Sequence, residues 1–189
     1  MKKAADESPA PSHKSPAPGS PLPASALKSP AVWLATGFGV GLVARAPGTV
    51  GACVLGLPLA WAVSFVPAVG WQGLLIAILF AIGIPICTAA GRALGTKKDN
   101  QAIIWDEIVT VPVIFLLVPL TNFKVAAAGF LLHRLFDITK PPPCAQLERL
   151  PDGLGVMADD LMAAIYGSAA LFGLAWLASH FGWPLLAMD

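Results

Sequence analysis

Five long apolar segments, separated by short polar turns, constrain how this chain folds more than any other feature. They cover approximately residues 50–69, 73–91, 104–120, 125–136 and 161–179. Only 12% of the residues are charged and 56% are hydrophobic, whereas soluble domains carry roughly 25% charged residues. Because lipid offers no solvent to unpaired backbone groups, such segments must be helical. The sequence therefore predicts an all-α, polytopic membrane protein with four or five apolar helices.

The third and fourth segments are shorter than the roughly 20 residues that a membrane-crossing helix needs. They are expected to tilt, to be shielded by neighbouring helices, or to form a re-entrant hairpin, and the sequence leaves these possibilities open. In each case the chain leaves the fourth segment on the side of the membrane where it entered the third. The first and fifth segments therefore start, and the second and fourth end, on one face of the protein.

The N-terminal part divides into a tail and a glycine-rich stretch. Residues 1–30 are rich in Pro, Ser, Ala and Lys and have few large apolar side chains, which predicts a disordered cytoplasmic tail. Residues 31–189 are predicted to form a single domain. Within it, residues 31–51 are apolar but interrupted by glycines, Arg45 and Pro47, which favours a short interfacial or re-entrant helix over a full span.

Most charged residues fall on the face that these segment ends share. Lys124 is the one cation of the opposite turns, so the positive-inside rule predicts that the charged face is cytoplasmic. The net charge of +1 says little about partners, and nucleic-acid binding is not expected. The cations of this face are the tail lysines, Arg45, Arg92, Lys97, Lys98, Arg134, Lys140 and Arg149, and its acids are Asp99, Asp106, Glu107, Asp137, Glu148, Asp152, Asp159 and Asp160.

Charge of both signs interrupts the fourth segment in the stretch H-R-L-F-D-I-T-K-P, residues 133–141. On a helix, Arg134, Asp137 and Lys140 share one broad face with His133. Each charge costs roughly 2.5–3.5 kcal/mol at the centre of a bilayer, so the stripe is expected at the interface or paired with opposite charge. For His133 an interfacial polar role is the ordinary explanation, and a part in phosphate or proton handling is the rarer one.

Two pairs of acids precede apolar helical segments: Asp106 with Glu107, and Asp159 with Asp160. Capping of a helix N-terminus, worth about 0.3–1 kcal/mol, is the structural explanation for any one of them. Together with Asp137 they converge on one face, where carboxylates repel one another unless a cation lies between them. Hard oxygen ligands favour Mg²⁺, Mn²⁺ or Ca²⁺, and Mg²⁺ commonly pairs with phosphate. The two pairs are therefore candidate Mg²⁺ ligands.

A phosphate-binding element is expected beside these acids. In A-P-G-T-V-G, residues 46–51, proline, glycine and threonine precede a long apolar helix whose N-terminal amides form a ready anion site. Thr49 is expected to cap that helix or to contact phosphate, and the two roles are compatible. Gly48 belongs to the same candidate substrate site. Arg134 and Lys140 are left to hold the remaining phosphate charge.

Four blocks of the sequence resemble the phosphatidylglycerophosphatase A family, in the family's order and approximate spacing. They are G-F-G-V-G-L followed by A-P-G-T-V-G, then I-I-W-D-E-I, A-A-G-F-L-L-H-R-L-F-D-I-T-K-P, and G-L-G-V-M-A-D-D-L-M-A-A-I-Y. The resemblance implies a Mg²⁺-dependent phosphomonoesterase of phospholipid biosynthesis. Its lipid substrate would be phosphatidylglycerophosphate, converted to phosphatidylglycerol and phosphate at the cytoplasmic face of a bacterial inner membrane. The functional residues that it implies are Thr49, Asp106, Glu107, Arg134, Asp137, Lys140, Asp159 and Asp160.

The implied mechanism uses Mg²⁺ to neutralise the phosphate and to lower the pKa of a bound water that attacks phosphorus. Asp137 would be a ligand or the base, and Asp160 would be both a ligand and a catalytic residue. Arg134 and Lys140 would stabilise charge on the equatorial oxygens. A phospho-aspartyl intermediate is equally allowed by the sequence.

Two functions of other classes are the alternatives: a small ion-coupled transporter and a non-catalytic membrane subunit. A carrier is expected to place ionisable groups near the bilayer midplane and often has repeated halves. Here the charges lie at helix ends, and the sequence has no internal repeat. Neither the oligomeric state nor the range of lipid phosphates follows from the sequence.

Overall fold

The computed structural model describes residues 26–95 and 100–182, and all the regular structure in these two ranges is helical. The prediction of an all-α protein is therefore confirmed. The predicted tail lies outside the described residues up to residue 25, as do Lys97, Lys98 and Asp99 of the charged face. The helices are α1 (Pro30–Ala35), α2 (Val40–Val43), α3 (Pro47–Ser64), α4 (Val69–Ala93), α5 (Trp105–Ile114), α6 (Phe123–Thr139), α7 (Cys144–Leu147) and α8 (Asp152–His180).

Three helices, α3, α4 and α8, are long and apolar enough to cross a membrane. At about 1.5 Å per residue, the 25 residues of α4 extend about 37 Å, more than the roughly 30 Å of the hydrocarbon core. Helix α3 includes one π-helical stretch, Ala52–Gly56, which ends where the Leu57 amide donates to the Ala52 carbonyl. The glycine-rich N-terminal stretch forms only the short helices α1 and α2 before α3, as its interruptions predict.

Helix α5 is short and enclosed by its neighbours. Its 10 residues extend about 15 Å, too little to cross the membrane, and all of them except Trp105 and Glu107 are buried. An apolar sequence without a polar face is typical of a helix that packs on every side. Helix α5 packs against α3, α4, α6 and α8. The predicted segment 104–120 thus ends early, at Ile114, and shielding by neighbours is the arrangement observed among those predicted.

Helix α8 begins at Asp152, nine residues before the predicted start of the fifth segment. Its first turn lies directly on α4, because the Gly153 amide donates to Thr88 Oγ1 at 3.0 Å. A Cβ at Gly153 would collide with the Ile84 carbonyl, so only glycine fits there. Asp152 has φ 53°, in the left-handed region that favours glycine. The early start places the acids Asp159–Asp160 two turns inside the helix.

Apolar side chains pack in two clusters and leave one end of the bundle polar. One cluster, around Val111, Ile114 and Leu171, joins α3, α5, α6 and α8. The other, around Cys87 and Met157, joins α1, α4 and α8. The start of α3, the end of α4, the end of α6 and the start of α8 meet at the polar end. This is the shared face that the order of the apolar segments predicts.

Candidate active site

A cavity of about 1040 Å³ opens where these four helix ends meet. Its wall brings together every residue that the sequence predicts for the site, although the segments that carry them are far apart in the chain. The structure therefore confirms that they are neighbours, whereas their chemical roles stay predictions. The predicted residues in the cavity wall are Gly48, Thr49, Asp106, Glu107, Arg134, Asp137, Lys140, Asp159 and Asp160.

Arg134 connects α6 with the first turn of α5. Its Nη1 lies 2.8 Å from Glu107 Oε1 and 2.8 Å from Asp137 Oδ2, one helical turn away on α6. The three side chains are between 13% and 20% exposed, so water screens these pairs less than it screens surface pairs. Both ion pairs use the same nitrogen. A guanidinium has five N–H donors in a planar fork, so the two pairs at Nη1 leave donors that an anion can use.

Lys140 connects the end of α6 with α8. Its Nζ lies 2.7 Å from Asp159 Oδ2 and 3.2 Å from Glu148 Oε2. Burial of the ammonium opposes its charge, but the hydrogen bonds and charges of Asp159 and Glu148 prevail and raise the pKa of Lys140 above its usual value. Lys140 therefore stays protonated throughout the neutral pH range. Glu148 is part of the site through this contact, although the sequence places it only among the acids of the same face.

Asp159 and Asp160 are the buried acids of the cavity, only 6% and 5% exposed. Oδ1 of Asp159 and Oδ2 of Asp160 are enclosed and accept no hydrogen bond from any residue that the structure describes. The negative charges of four further carboxylates act on Asp160: Asp106, Asp137, Glu107 and Asp159. Because both residues lie two turns inside α8, capping of its N-terminus does not account for them. Asp160 thus lies in a group of carboxylates whose ion pairs with cations are made by Arg134 and Lys140.

The donor set of the cavity fits a hard divalent cation. Carboxylate oxygens suit Mg²⁺, which usually takes one or two protein carboxylates and completes its shell with water and substrate oxygens. Asp159 and Asp160 each offer a buried oxygen that makes no hydrogen bond within the described ranges, and Asp106 approaches them from α5. Within residues 26–95 and 100–182, no three acidic, His or Cys side chains are grouped so that they could hold a metal ion by themselves. The arrangement suits an ion that substrate and water help to hold.

The first turn of α3 lies against the acids of α5. A Cβ at Gly48 would collide with the carboxylate of Glu107, so this close approach requires glycine. Thr49 also lines the cavity. The N-cap of α3 is Ala46 and no side chain caps the helix, so the predicted capping role of Thr49 is wrong.

His133 does not have the interfacial position that its place in the sequence predicts. Its side chain is completely buried, and it is absent from the cavity wall. It lies on α6 beside Gly167 of α8, where a Cβ would make only ordinary contact with the His133 backbone. The cavity also includes residues that the sequence does not single out for the site, among them Cys87 and Thr88 of α4. Their types are too common in apolar helices to carry a signal.

The fold and the cavity together define an all-α protein with three helices long and apolar enough to cross a membrane and with a cavity lined by acids and cations. Most of its ionisable groups gather at one end of the bundle rather than along a central pathway, unlike those expected of a carrier. The model of the phosphatidylglycerophosphatase A family matches residues 33–175, so the chain belongs to this family and is a phosphatase.

Curated relatives match most of the chain. A phosphatidylglycerophosphatase A of Escherichia coli (strain K12) is 31% identical over 166 residues, which are 85% of this chain and 91% of the relative. One of Haemophilus influenzae is 35% identical over 157 residues, 80% of this chain and 92% of the relative. A putative phosphatidylinositol-3-phosphatase of Bacteroides thetaiotaomicron is 32% identical over 152 residues, 77% of this chain and 94% of the relative. No solved structure matches the chain.

The contact between Gly48 and Glu107 leads to a testable prediction. We expect Gly48→Ala to lower the rate of phosphate release by about 10²-fold, because the added methyl group displaces Glu107 and, through it, Arg134. The matched control is Gly73→Ala in α4, where a Cβ meets no atom within 4 Å. Both changes favour helix, so a loss confined to Gly48→Ala reports on the site. Wild-type rates for Gly48→Ala would contradict the assigned packing.

Proposed function

We propose that this protein is a Mg²⁺-dependent phosphomonoesterase that hydrolyses phosphatidylglycerophosphate to phosphatidylglycerol and phosphate. The observation that carries the proposal is the composition of the cavity. Two cations, Arg134 and Lys140, are held in place by acids around Asp160, whose buried oxygen accepts no hydrogen bond from the described residues. This pairing of an acidic, metal-suited centre with anchored cations is what a phosphate dianion and its counterion need.

The substrate class is supported by what the names of the relatives have in common. Phosphatidylglycerophosphate and phosphatidylinositol 3-phosphate both carry a phosphodiester joined to diacylglycerol and a phosphomonoester on a polyol. We therefore propose a lipid of this kind as the substrate, with phosphatidylglycerophosphate as the first choice because two of the three relatives are named for it. A cavity of about 1040 Å³ has ample room for the head group.

The cations and the start of α3 would bind the phosphomonoester. The available N–H donors of Arg134 and the ammonium of Lys140 would stabilise negative charge on the equatorial oxygens, an effect that strengthens where water is excluded. The N-terminal amides of α3 and the hydroxyl of Thr49 would orient the phosphate. Because Glu107 and Asp137 fix Arg134 from two helices, the guanidinium needs little reorganisation when substrate binds.

The acids of α5 and α8 would hold the metal. Asp159 and Asp160 are the best placed ligands, with Asp106 and Glu107 facing them from α5. When bound, Mg²⁺ would supply positive charge to the phosphate oxygens and make water more acidic.

Asp137 is the candidate base or nucleophile. Its Oδ2 lies 2.8 Å from Arg134 Nη1, which holds the carboxylate in place on the cavity wall. As base it would remove a proton from the attacking water while the bond from phosphorus to the glycerol oxygen breaks and that oxygen takes up a proton from water. As nucleophile it would form a phospho-aspartyl group and release phosphatidylglycerol in the same way, and water would then cleave the acyl phosphate to phosphate and the free carboxylate. A phosphorylated protein trapped with radiolabelled substrate would establish the second route. Oxygen from labelled water in the released phosphate, without a trapped adduct, would establish the first.

We also propose that the cavity faces the cytoplasm of a bacterial cell and that the protein resides in the inner membrane. The cations of the described residues support this orientation, because Arg45, Arg92 and Arg149 line the cavity whereas Lys124 begins α6 at the other end of the bundle. A cysteine introduced at Arg149 should resist a membrane-impermeant maleimide in intact cells and react after the membrane is opened. Labelling in intact cells would reverse the orientation.

Metal removal provides the direct test of the function. We expect the detergent-solubilised protein to release phosphate from phosphatidylglycerophosphate with Mg²⁺, to lose this activity in EDTA, and to regain it when Mg²⁺ is added in excess. Phosphate release would be measured colorimetrically, with the lipid product identified by mass spectrometry. If the wild-type protein releases no phosphate under any metal condition, the proposed activity is wrong. If release persists in EDTA, the metal requirement is wrong but the activity stands.

A further inference from the structure

Helices α3 and α6 form the two sides of an open cleft. Each packs against α5, but they are not closely packed against each other, because α6 lies mainly on α8. The active-site cavity is the polar end of this cleft, with Gly48 and Thr49 contributed by α3 and Arg134 by α6. Ile138 also lines the cavity there, although its apolar side chain is 71% exposed. The cavity wall therefore reaches the exposed surface of the bundle at this point.

The other end of the cleft is a second, smaller cavity of about 480 Å³ with a mostly apolar wall. On the α3 side it includes Leu57 and Trp61, and on the α6 side it includes Phe123 and Ala126. Trp61 and Phe123 are 58% and 85% exposed, so the groove opens on the outer, apolar surface of the bundle. The residues that line it are Cys53, Leu57, Pro58, Trp61, Leu120, Thr121, Asn122, Phe123 and Ala126.

A stripe of side chains on α3 joins the two cavities. Cys53, Leu57 and Trp61 follow Thr49 at intervals of four residues, which places them along one face. Thr49 lines the active-site cavity, and Cys53, one turn further along, lines the apolar groove. The groove therefore begins next to the active site along this face of α3.

We propose that this α3–α6 cleft binds an acyl chain of the lipid whose phosphomonoester occupies the active site. The proposal rests on the function proposed above and adds the place where the lipid part of the substrate lies. The stripe from Thr49 to Trp61 extends about 18 Å, close to the roughly 15 Å of one leaflet of the hydrocarbon core. A chain in the cleft would lie parallel to the bilayer normal, with its head group at the polar end. The substrate would thus enter sideways from the membrane.

Filling the groove tests the proposal through activity. Cys53→Trp is expected to lower kcat/KM for long-chain phosphatidylglycerophosphate by about ten- to a hundredfold, and to leave kcat/KM for the deacylated, water-soluble head group unchanged. Val54→Trp is the matched control, because Val54 is the next residue, is 55% exposed and lines neither cavity. An unchanged kcat/KM of Cys53→Trp for the lipid, or an equal loss for both substrates, would overturn the proposal. A wild-type protein inactive on both would instead overturn the proposed function.

Labelling of Cys53 tests occupancy of the cleft without any turnover. Cys87 and Cys144 are buried, so the exposed Cys53 is the cysteine among the three that a maleimide reaches first. In phosphatidylcholine nanodiscs, added phosphatidylglycerophosphate or phosphatidylglycerol is expected to slow this labelling severalfold, whereas the deacylated head group should not. A Cys53→Ala, Val54→Cys protein provides the control and should label at the same rate with each lipid. Equal labelling of Cys53 with and without the anionic lipid would show that no chain binds there.

Discussion

Asp160→Asn is expected to abolish metal-dependent phosphate release, with kcat falling by about 10²–10³-fold or more. Asparagine keeps the shape of the side chain but removes the charge on the buried oxygen that no described residue satisfies. The same change relieves repulsion among the carboxylates that surround Asp160, so the folded state should be as stable as the wild type or more stable. Loss of activity together with an unchanged or higher Tm is the expected signature.

The control for Asp160→Asn is Asp152→Asn in the first turn of the same helix. Asp152 pairs with Arg92 at 3.2 Å, but the two side chains are 51% and 73% exposed, so the pair contributes little. We expect this variant to keep its activity within about twofold, as surface pairs of this kind usually allow. Substantial Mg²⁺-dependent turnover by Asp160→Asn would contradict the assignment of this acid, whatever its stability.

Arg134→Lys is expected to lower kcat by about 10²–10³-fold although it keeps the positive charge. One ammonium group cannot occupy the position that the guanidinium takes between Glu107 and Asp137 and also present fixed donors to the phosphate. Arg134→Gln, which removes the charge, should be at least as severe. Steady-state kinetics would separate a loss of substrate binding from a loss of transition-state stabilisation. A fall in kcat with KM unchanged indicates interactions made only in the transition state.

Lys124→Gln is the matched control for the Arg134 variants. Lys124 is also a cation of α6, but it is exposed in the first turn, at the end of the helix away from the cavity. We expect this change to leave kcat and KM unaltered. Wild-type kinetics for Arg134→Lys would show that this position needs only charge, and the proposed role of the guanidinium geometry would fail.

The gathering of the site residues could be predicted because it follows from a strong physical constraint. Charged side chains are costly within lipid, so the acids and cations that interrupt apolar segments must lie at segment ends. The order of the segments then assigns those ends to one face, and Arg134, Asp137 and Lys140 meet the acids of two other helices there. That inference required no knowledge of how the helices pack.

The exact helix limits could not be predicted in the same way. An apolar run that continues beyond Ile114 gives no sign that α5 ends there, because enclosure by its neighbours removes the need for either a polar face or a full span. Similarly, α8 starts at Asp152 because Gly153 allows the chain to lie on α4. This contact between distant segments carries Asp159 and Asp160 from a predicted helix end into the interior.

The sequence by itself determined the class of fold, the polar face and the set of candidate site residues. These follow from hydropathy, from the order of the apolar segments and from residue type. Only the tertiary structure decided which charges pair, that Thr49 lines the cavity without capping α3, that His133 is buried, and that α3 and α6 remain apart. The physical reason is that these features depend on the distances between helices. Close packing sets those distances through small residues such as Gly48 and Gly153.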